Sequence, residues 1–149
     1  MYKIIDNFLD EDDLIKMNEF ISLNKEIPSI TENKEIPNYI IDKYKYKFND
    51  LNIIKVYDKL TISTIKTRDI GPHYDEQFED ETHKVLLYLN SVENGGTVFF
   101  INNKEELIEN KCNRLVVFDI RLLHKSQVFK KGVIKKTIGF RIKVNDNLN

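Results

Sequence analysis

The sequence has no Trp and no Ala, and only one Cys, three Pro and five Gly among its 149 residues. With Cys112 alone, no internal disulfide can form, so the fold must rest on burial and hydrogen bonding, as suits a reducing compartment. Long apolar runs are missing too: no stretch approaches the roughly 18 residues that a membrane-spanning helix needs. The opening MYKIIDNFLDEDD turns acidic before any apolar run develops, so it does not read as a signal peptide. The expectation is a cytoplasmic protein without a membrane segment. Charge of one sign is not in excess either: 23 Lys+Arg face 24 Asp+Glu, for a net charge of −1 and a pI near 6.3. That balance gives no field to gather nucleic acid or an anionic membrane. The few Arg, the many Lys, Ile and Asn and the missing Ala follow AT-rich codons and carry no functional message. No Gly/Ser/Pro-rich linker and no internal repeat interrupts the chain. Residues 1–149 therefore read as a single domain, long enough to bury a core.

What is present changes character near residue 51. Before it lie helical patterns. Asp10 can cap a helix whose first turn holds Glu11, Asp12 and Asp13, where the helix dipole favours acidic groups. Leu14, Met17 and Ile21 follow at helical spacing, with Ile15 and Phe20 beside them. Residues 22–37, with Pro28, Pro37 and two copies of KEIP, read as loop, and 38–48 as a second helix. After residue 51 the signal is β. Residues 51–67 offer one or two strands. VLLYL (85–89) is apolar on both faces, as a strand covered on both sides would be. ENGG (93–96) predicts a turn that returns TVFFI (97–101) against it as a hairpin. RLVVFDI (114–120) is another strand. In KKTIGFRIKV (135–144), Ile138, Phe140, Ile142 and Val144 share one face, and Lys135, Thr137, Gly139, Arg141 and Lys143 share the other. Helices followed by short strands predict an α+β chain with a sandwich or jelly-roll core.

The chemistry concentrates in GPHYD (71–75) and in an isolated His in FDIRLLHKSQ. In extended chain, residues two apart point the same way, so His73 and Asp75 can reach one ion while Tyr74 points away. A second His supplied from elsewhere, His124, would complete two imidazoles and a carboxylate. That set leaves coordination positions open and is the arrangement of non-haem Fe(II) oxygenases.

Five segments in order resemble the prolyl 4-hydroxylase-like branch of the Fe(II)/2-oxoglutarate dioxygenases, from near residue 3 to residue 144. IIDNFLDEDDL resembles its opening strand and first helix, and GPHYDE its HxD strand. KVLLYLNSVENGGTVFF resembles its apolar strand, double-Gly turn and aromatic strand. NRLVVFDIRLLHKSQV resembles its distal-His strand and turn, and GVIKKTIGFRI the strand carrying its basic cosubstrate residue. The resemblance implies a double-stranded β-helix, a cupin-like jelly roll with short N-terminal helices on one sheet. It implies Fe(II) held by His73, Asp75 and His124, with 2-oxoglutarate and O2 as cosubstrates and ascorbate as a candidate accessory reductant. It implies hydroxylation of a C–H bond, most like a prolyl 4-hydroxylase acting on a peptide or protein.

The far carboxylate of 2-oxoglutarate needs a cation. Strand parity offers Lys135 aided by Thr137, then Arg141 on the same face, and Lys84, which has the parity of Leu86 and Tyr88. The family often carries a Tyr shortly before HxD. None stands here, and Thr64 or Thr67 could substitute only in part. The Pro that often follows the distal His is absent from HKSQV. A non-catalytic β-helix binding module is the alternative from another class, and nucleic-acid dealkylation lacks the basic groove it would need. His83 reads as the exposed start of a strand, Asp119 as a turn former and Cys112 as having no role. The acidic run Glu76, Glu79, Asp80 and Glu81 reads as a solvated loop that could attract a cationic substrate.

Overall fold

The computed structural model describes residues 2–24, 30–65 and 71–145, the side chains of Thr64 and Ile65 excepted. The chain opens with β1 (Tyr2–Ile5) and α1 (Glu11–Leu23). The Asp10 side chain caps α1 by accepting the Asp13 N–H at 2.9 Å, and the acidic first turn lies where expected. The stretch read as loop is more ordered than expected. It contains β2 (Ile30–Glu32) and the start of α2 (Glu35–Lys43), with a 3-10 turn at Lys45–Phe48 in place of the rest of the expected second helix. Pro37 falls in the first turn of α2, where its missing N–H breaks no helical bond. Asn33 serves that end by accepting the Ile36 N–H at 3.0 Å. The first KEIP copy, with Pro28, lies outside the described residues.

The strands that follow are β3 (Ile53–Val56), β4 (Lys59–Ile65), β5 (His83–Tyr88), β6 (Thr97–Ile101) and β7 (Lys104–Ile108), then β8 (Arg114–Asp119), β9 (His124–Ser126) and β10 (Lys135–Val144). The large sheet runs β1-β8-β5-β10-β4-β2, with β3 also on β10, and the small sheet runs β7-β6-β9. The pairings between these strands are antiparallel. Two sheets facing each other in this way make a jelly roll.

The large sheet has a buried layer on each face, which explains the continuous apolar run of β5. On one face Val85, Leu87, Leu115, Val117, Ile138 and Phe140 share a buried cluster with Met17 and Ile21 of α1 and with Ile40 and Ile41 of α2. On the other face Tyr88, Val116 and Phe118 pack against Phe99, Ile101 and Ile108 of the small sheet. Each side chain so buried contributes about 1.5–3 kcal/mol.

The expected hairpin between VLLYL and TVFFI does not form. β5 pairs with β8 and β10, while β6 pairs with β7 and β9. The double-Gly segment carries the chain from one sheet to the other. Gly96 is needed there because a Cβ would stand 2.3 Å from the Ile108 carbonyl oxygen. The hairpin runs forward instead, from β6 to β7. It turns through Asn102 and Asn103, both at positive φ (51° and 63°), as a two-residue turn of this hand requires.

Asp13 ties α1 to the segment after it. Its buried carboxylate accepts from Tyr39 Oη at 2.8 Å, Lys43 Nζ at 2.7 Å and Tyr44 Oη at 2.5 Å. Burial alone would push this carboxyl up, but Lys43 and the two tyrosine hydroxyls hold it below its ordinary 3.8. A group lowered in the folded state stabilises above its unfolded value, and that contribution fades as pH falls through the folded value. Asp13→Ala should therefore cost about 3 kcal/mol at neutral pH, because it also leaves buried donors unpaired. Urea unfolding at pH 7 and at pH 3 checks this. The gap between variant and wild type should narrow at the lower pH, and an equal gap at both would refute the role.

Candidate metal and cosubstrate site

The site begins with the backbone. His73 N donates to the His124 carbonyl at 2.8 Å, and His124 N donates to that of His73 at 3.0 Å. This bridge places the two imidazoles side by side, with centroids 4.6 Å apart. Asp75, two residues on, joins them, and the ligand atoms of His73, Asp75 and His124 lie within 4.8 Å of one another.

Each ring is held from behind. His73 Nδ1 is 3.1 Å from the Gly71 carbonyl oxygen, and His124 Nδ1 is 2.9 Å from that of Leu122. A carbonyl can only accept, so each Nδ1 carries the hydrogen and each Nε2 is the atom left for an ion. Phe118 and Phe99 wall the His124 ring at 5.0 and 6.1 Å.

Asp75 is the third member. Its Oδ1 lies 3.5 Å from His124 Nε2. Its Oδ2 is buried and accepts no hydrogen bond, with the Lys84 ammonium 3.5 Å away. Burial alone would push this carboxyl up, but His124, Lys84 and Arg141 together hold it well below the usual carboxylate range. A buried carboxylate that presents Oδ1 beside two imidazoles, with each Nδ1 engaged by a carbonyl, fits a borderline divalent cation such as Fe(II).

Behind these three side chains is a cavity of about 160 Å3 between the sheets. Ser126, Phe118 and Leu86 line it, and the side chain of Lys84 reaches it from β5. Lys135 and Thr137 line it from β10, and both are buried. Lys135 is only 3% exposed, yet no carboxylate among the described residues pairs with it; its Nζ donates to the Gly95 carbonyl at 3.1 Å. Burial pushes its pKa down to about 8. An ammonium with donors to spare, buried at the wall of a polar cavity, suits a carboxylate ligand.

Other expected residues lie elsewhere. Arg141 does not line the cavity. Its guanidinium donates to Glu81 Oε1 at 3.1 Å and to the Glu76 carbonyl, and stacks 4.6 Å from the Phe78 ring centre. Strand parity is right for Arg141, but it lies toward the acidic segment and is committed there. That segment is the expected loop, exposed at Glu76, Glu79 and Asp80, and departs from a solvated one only at Glu81. Glu81 is buried and accepts from the N–H groups of Phe78 and Glu79, while Asp80 pairs with Tyr57 and with Lys143 at 2.8 Å. The contacts of Glu81 and Asp80 brace the turn. Asp119 forms its turn, accepting from Arg121 N at 2.8 Å. His83 Nδ1 lies 2.8 Å from Thr82 Oγ1, away from the ligand cluster.

The hydroxyl wall was missed in the sequence. Thr61 and Ser63 of β4 line the cavity, opposite Gly139 and Thr137 in the β10 register, and Thr97 faces them from β6. Thr97 Oγ1 is in turn 2.5 Å from the buried Tyr88 Oη. Thr67, named as a substitute for the missing Tyr, lies outside the described residues, as does the Thr64 side chain. The signal for Thr61 and Ser63 was their two-residue spacing, which becomes legible only once β4 is known to pair with β10.

No family model matches the chain, and no curated protein matches it by sequence. Solved structures do. A Pseudomonas putida prolyl-4-hydroxylase superposes with a TM-score of 0.72 at 16% identity, over 95% of this chain and 88% of that one. A Trichoplax adhaerens prolyl hydroxylase, in complex with a hypoxia inducible factor oxygen degradation domain peptide, gives 0.72 at 15% identity, over 95% and 83%. SnoN, a non-heme alpha ketoglutarate dependent epimerase from nogalamycin biosynthesis, gives 0.68 at 9% identity, over 95% and 76%. The chain has the jelly-roll fold of prolyl 4-hydroxylases and other 2-oxoglutarate-dependent oxygenases.

Proposed function

We propose that this protein is an Fe(II)- and 2-oxoglutarate-dependent dioxygenase that hydroxylates a C–H bond of a peptide or protein, most like a prolyl hydroxylase, with residues 1–149 acting as one domain. One observation carries the reading. Two imidazoles and a carboxylate converge at a cavity that also holds a buried, carboxylate-free lysine. Peptide as the substrate class draws on the peptide-bound Trichoplax neighbour. Ascorbate enters only as an accessory reductant.

In this reading His73, Asp75 and His124 hold the metal. Bound Fe(II) supplies oxygen activation, coupled to conversion of 2-oxoglutarate to succinate and CO2. The chain's own work is positional. The carbonyls of Gly71 and Leu122 keep the two rings turned inward. Lys135 pairs with the far carboxylate of 2-oxoglutarate, and the hydroxyls of Thr137, Ser63 and Thr61 surround it. Phe118 and Leu86 keep that part of the cavity dry, which strengthens each charge pairing inside it.

Succinate release from 2-oxoglutarate with Fe(II), against a panel of proline-containing and proline-free peptides, tests the activity. Turnover should need metal and be abolished by Asp75→Ala, whose Mn(II) affinity by calorimetry should fall at least a hundredfold with the loss of a charged ligand. Equal Mn(II) affinity for Asp75→Ala and wild type would refute the ligand set. Metal and cosubstrate binding without succinate, across the panel, would favour a binding module.

Lys135 gives a second test. A hydrogen-bonded ion pair contributes on the order of 1.5–3 kcal/mol, so Lys135→Ala should weaken 2-oxoglutarate roughly ten- to a hundredfold and leave Mn(II) affinity unchanged. The dianion binds the protonated lysine. Affinity should therefore hold level up to about pH 8 and fall above it, well before an ordinary lysine near 10.5 would titrate. Calorimetric titration from pH 6.5 to 9.5 reads this. A flat profile in the wild type, or the same fall in Lys135→Ala, would show that another group anchors the cosubstrate.

A further inference from the structure

We infer that Lys84 is a positioning residue for Asp75, occupying Oδ2 so that a divalent metal at the cluster meets Oδ1 alone. The inference rests on the proposed metal site and concerns how its carboxylate is used. The two oxygens of Asp75 have different neighbours: Oδ1 is 3.5 Å from His124 Nε2, on the ligand side, and Oδ2 is 3.5 Å from Lys84 Nζ. Oδ2 is buried and has no hydrogen-bond donor, so the ammonium is the charge that compensates it. Asp75 is also the ion-pair partner of Lys84 among the described residues.

A second observation supports the assignment independently. Gly139 sits inside β10, where glycine weakens a strand, and its φ is not in the left-handed region. No turn demands it. What it provides is room, because a Cβ at Gly139 would stand 3.3 Å from Lys84 Cε and 3.6 Å from Thr61 Cβ. The lysine stem passes over this gap to reach Asp75. Arg141, directly across the β5–β10 pair from Lys84, cannot take over the task because its guanidinium is committed to Glu81.

The consequence is a count of open positions. A carboxylate that binds through both oxygens takes two coordination positions, and one that binds through a single oxygen takes one. With two imidazoles, only the second arrangement leaves room for both a chelating 2-oxo acid and O2. Lys84 therefore opposes metal binding by its charge while preserving the geometry that the reaction needs.

Mn(II) binding to the full-length protein tests this without any turnover. Calorimetry gives the affinity, and water proton relaxation gives the number of metal-bound waters. Lys84→Met should bind Mn(II) about tenfold more tightly, because it removes a positive charge a few ångströms from the ion. It should also lose about one bound water as Asp75 turns to use both oxygens. Lys84→Arg should keep wild-type values, and Gly139→Ala, which crowds the lysine stem, should shift both readouts in the direction of Lys84→Met. Lys84→Gln gives the same comparison should the Met variant fail to fold. Unchanged Mn(II) affinity and water count in Lys84→Met, with 2-oxoglutarate affinity lost, would overturn the inference and make Lys84 a cosubstrate anchor. A wild type that takes up no Mn(II) would overturn the metal-site reading itself, which separates the two failures.

Discussion

The reciprocal backbone pair between His73 and His124 is the constraint on which the candidate site depends. It joins a segment ahead of β5 to the short strand β9, which is itself fixed to β6 by the Phe99–His124 register. Once those two hydrogen bonds form, the imidazoles have no choice but to stand together. The carbonyls of Gly71 and Leu122 then settle which nitrogen faces inward. Asp75 follows because extended chain returns to the same side after two residues. The ordering cost of gathering three ligands is met during folding, so less of it falls on metal binding. Gly71, at φ +70°, makes the turn into this segment, which explains why the Gly-Pro pair stands immediately before HxD.

Around that pair the sandwich separates two kinds of burial. The helix-side face of the large sheet is apolar at its centre: Val85, Leu87, Ile138 and Phe140 meet Met17, Ile21 and Ile40. The face toward the small sheet is divided. Val116, Phe118 and Tyr88 pack with Phe99 and Ile101, while Lys84, Lys135, Thr137, Thr61 and Ser63 border a cavity. Filling that end with apolar side chains would give a more stable protein, since burying Lys135 beside one carbonyl is costly. The polar end is therefore a departure from what packing alone would select, and such departures concentrate at functional sites. Glu81 and Arg141 show the contrast. They too are charged, Glu81 buried and Arg141 half-buried, but they are paired with each other and with backbone groups, and so need no ligand.

The sequence was legible wherever one strand or helix decides the outcome. The Asp10 cap, the β10 alternation and the two-sided burial of β5 follow from local spacing, and all three stand in the structure. It was illegible where the answer lies in pairing. Nothing local tells VLLYL to ignore TVFFI, because the apolar pattern and the ENGG turn suit a hairpin. Only the crossing of Gly96 close to the Ile108 carbonyl sends β6 to the other sheet. β7, KEELI, was overlooked because an edge strand with four of five residues exposed carries no apolar alternation. The same limit applied to the site. His73, Asp75 and Lys135 announced themselves by spacing and parity, whereas Thr61 and Ser63 depend on the β4–β10 register, and Arg141 shares the right parity but sits too far along the strand.

A fold shared at 9–16% identity with prolyl hydroxylases and with an epimerase cannot by itself choose a reaction. The discriminating features must be few and must border the cavity. Here they are charges. Asp75 supplies one negative group, while Lys84 and Lys135 supply two positive ones at separate places on the wall. A divalent ion alone would raise the positive excess in a poorly solvated space, and a dianion alone would leave the Asp75 carboxylate facing two imidazoles with no cation between them. The dicarboxylate removes the positive excess that the ion adds, so each offsets part of the desolvation cost of the other. The arrangement therefore favours joint occupancy, in which each ligand raises the affinity for the other by the same factor. On the function proposed above, the site without dicarboxylate would hold a metal more loosely than the site with it. On that reading it follows from the place of Lys84, against the Asp75 carboxylate instead of at the far end of the cavity.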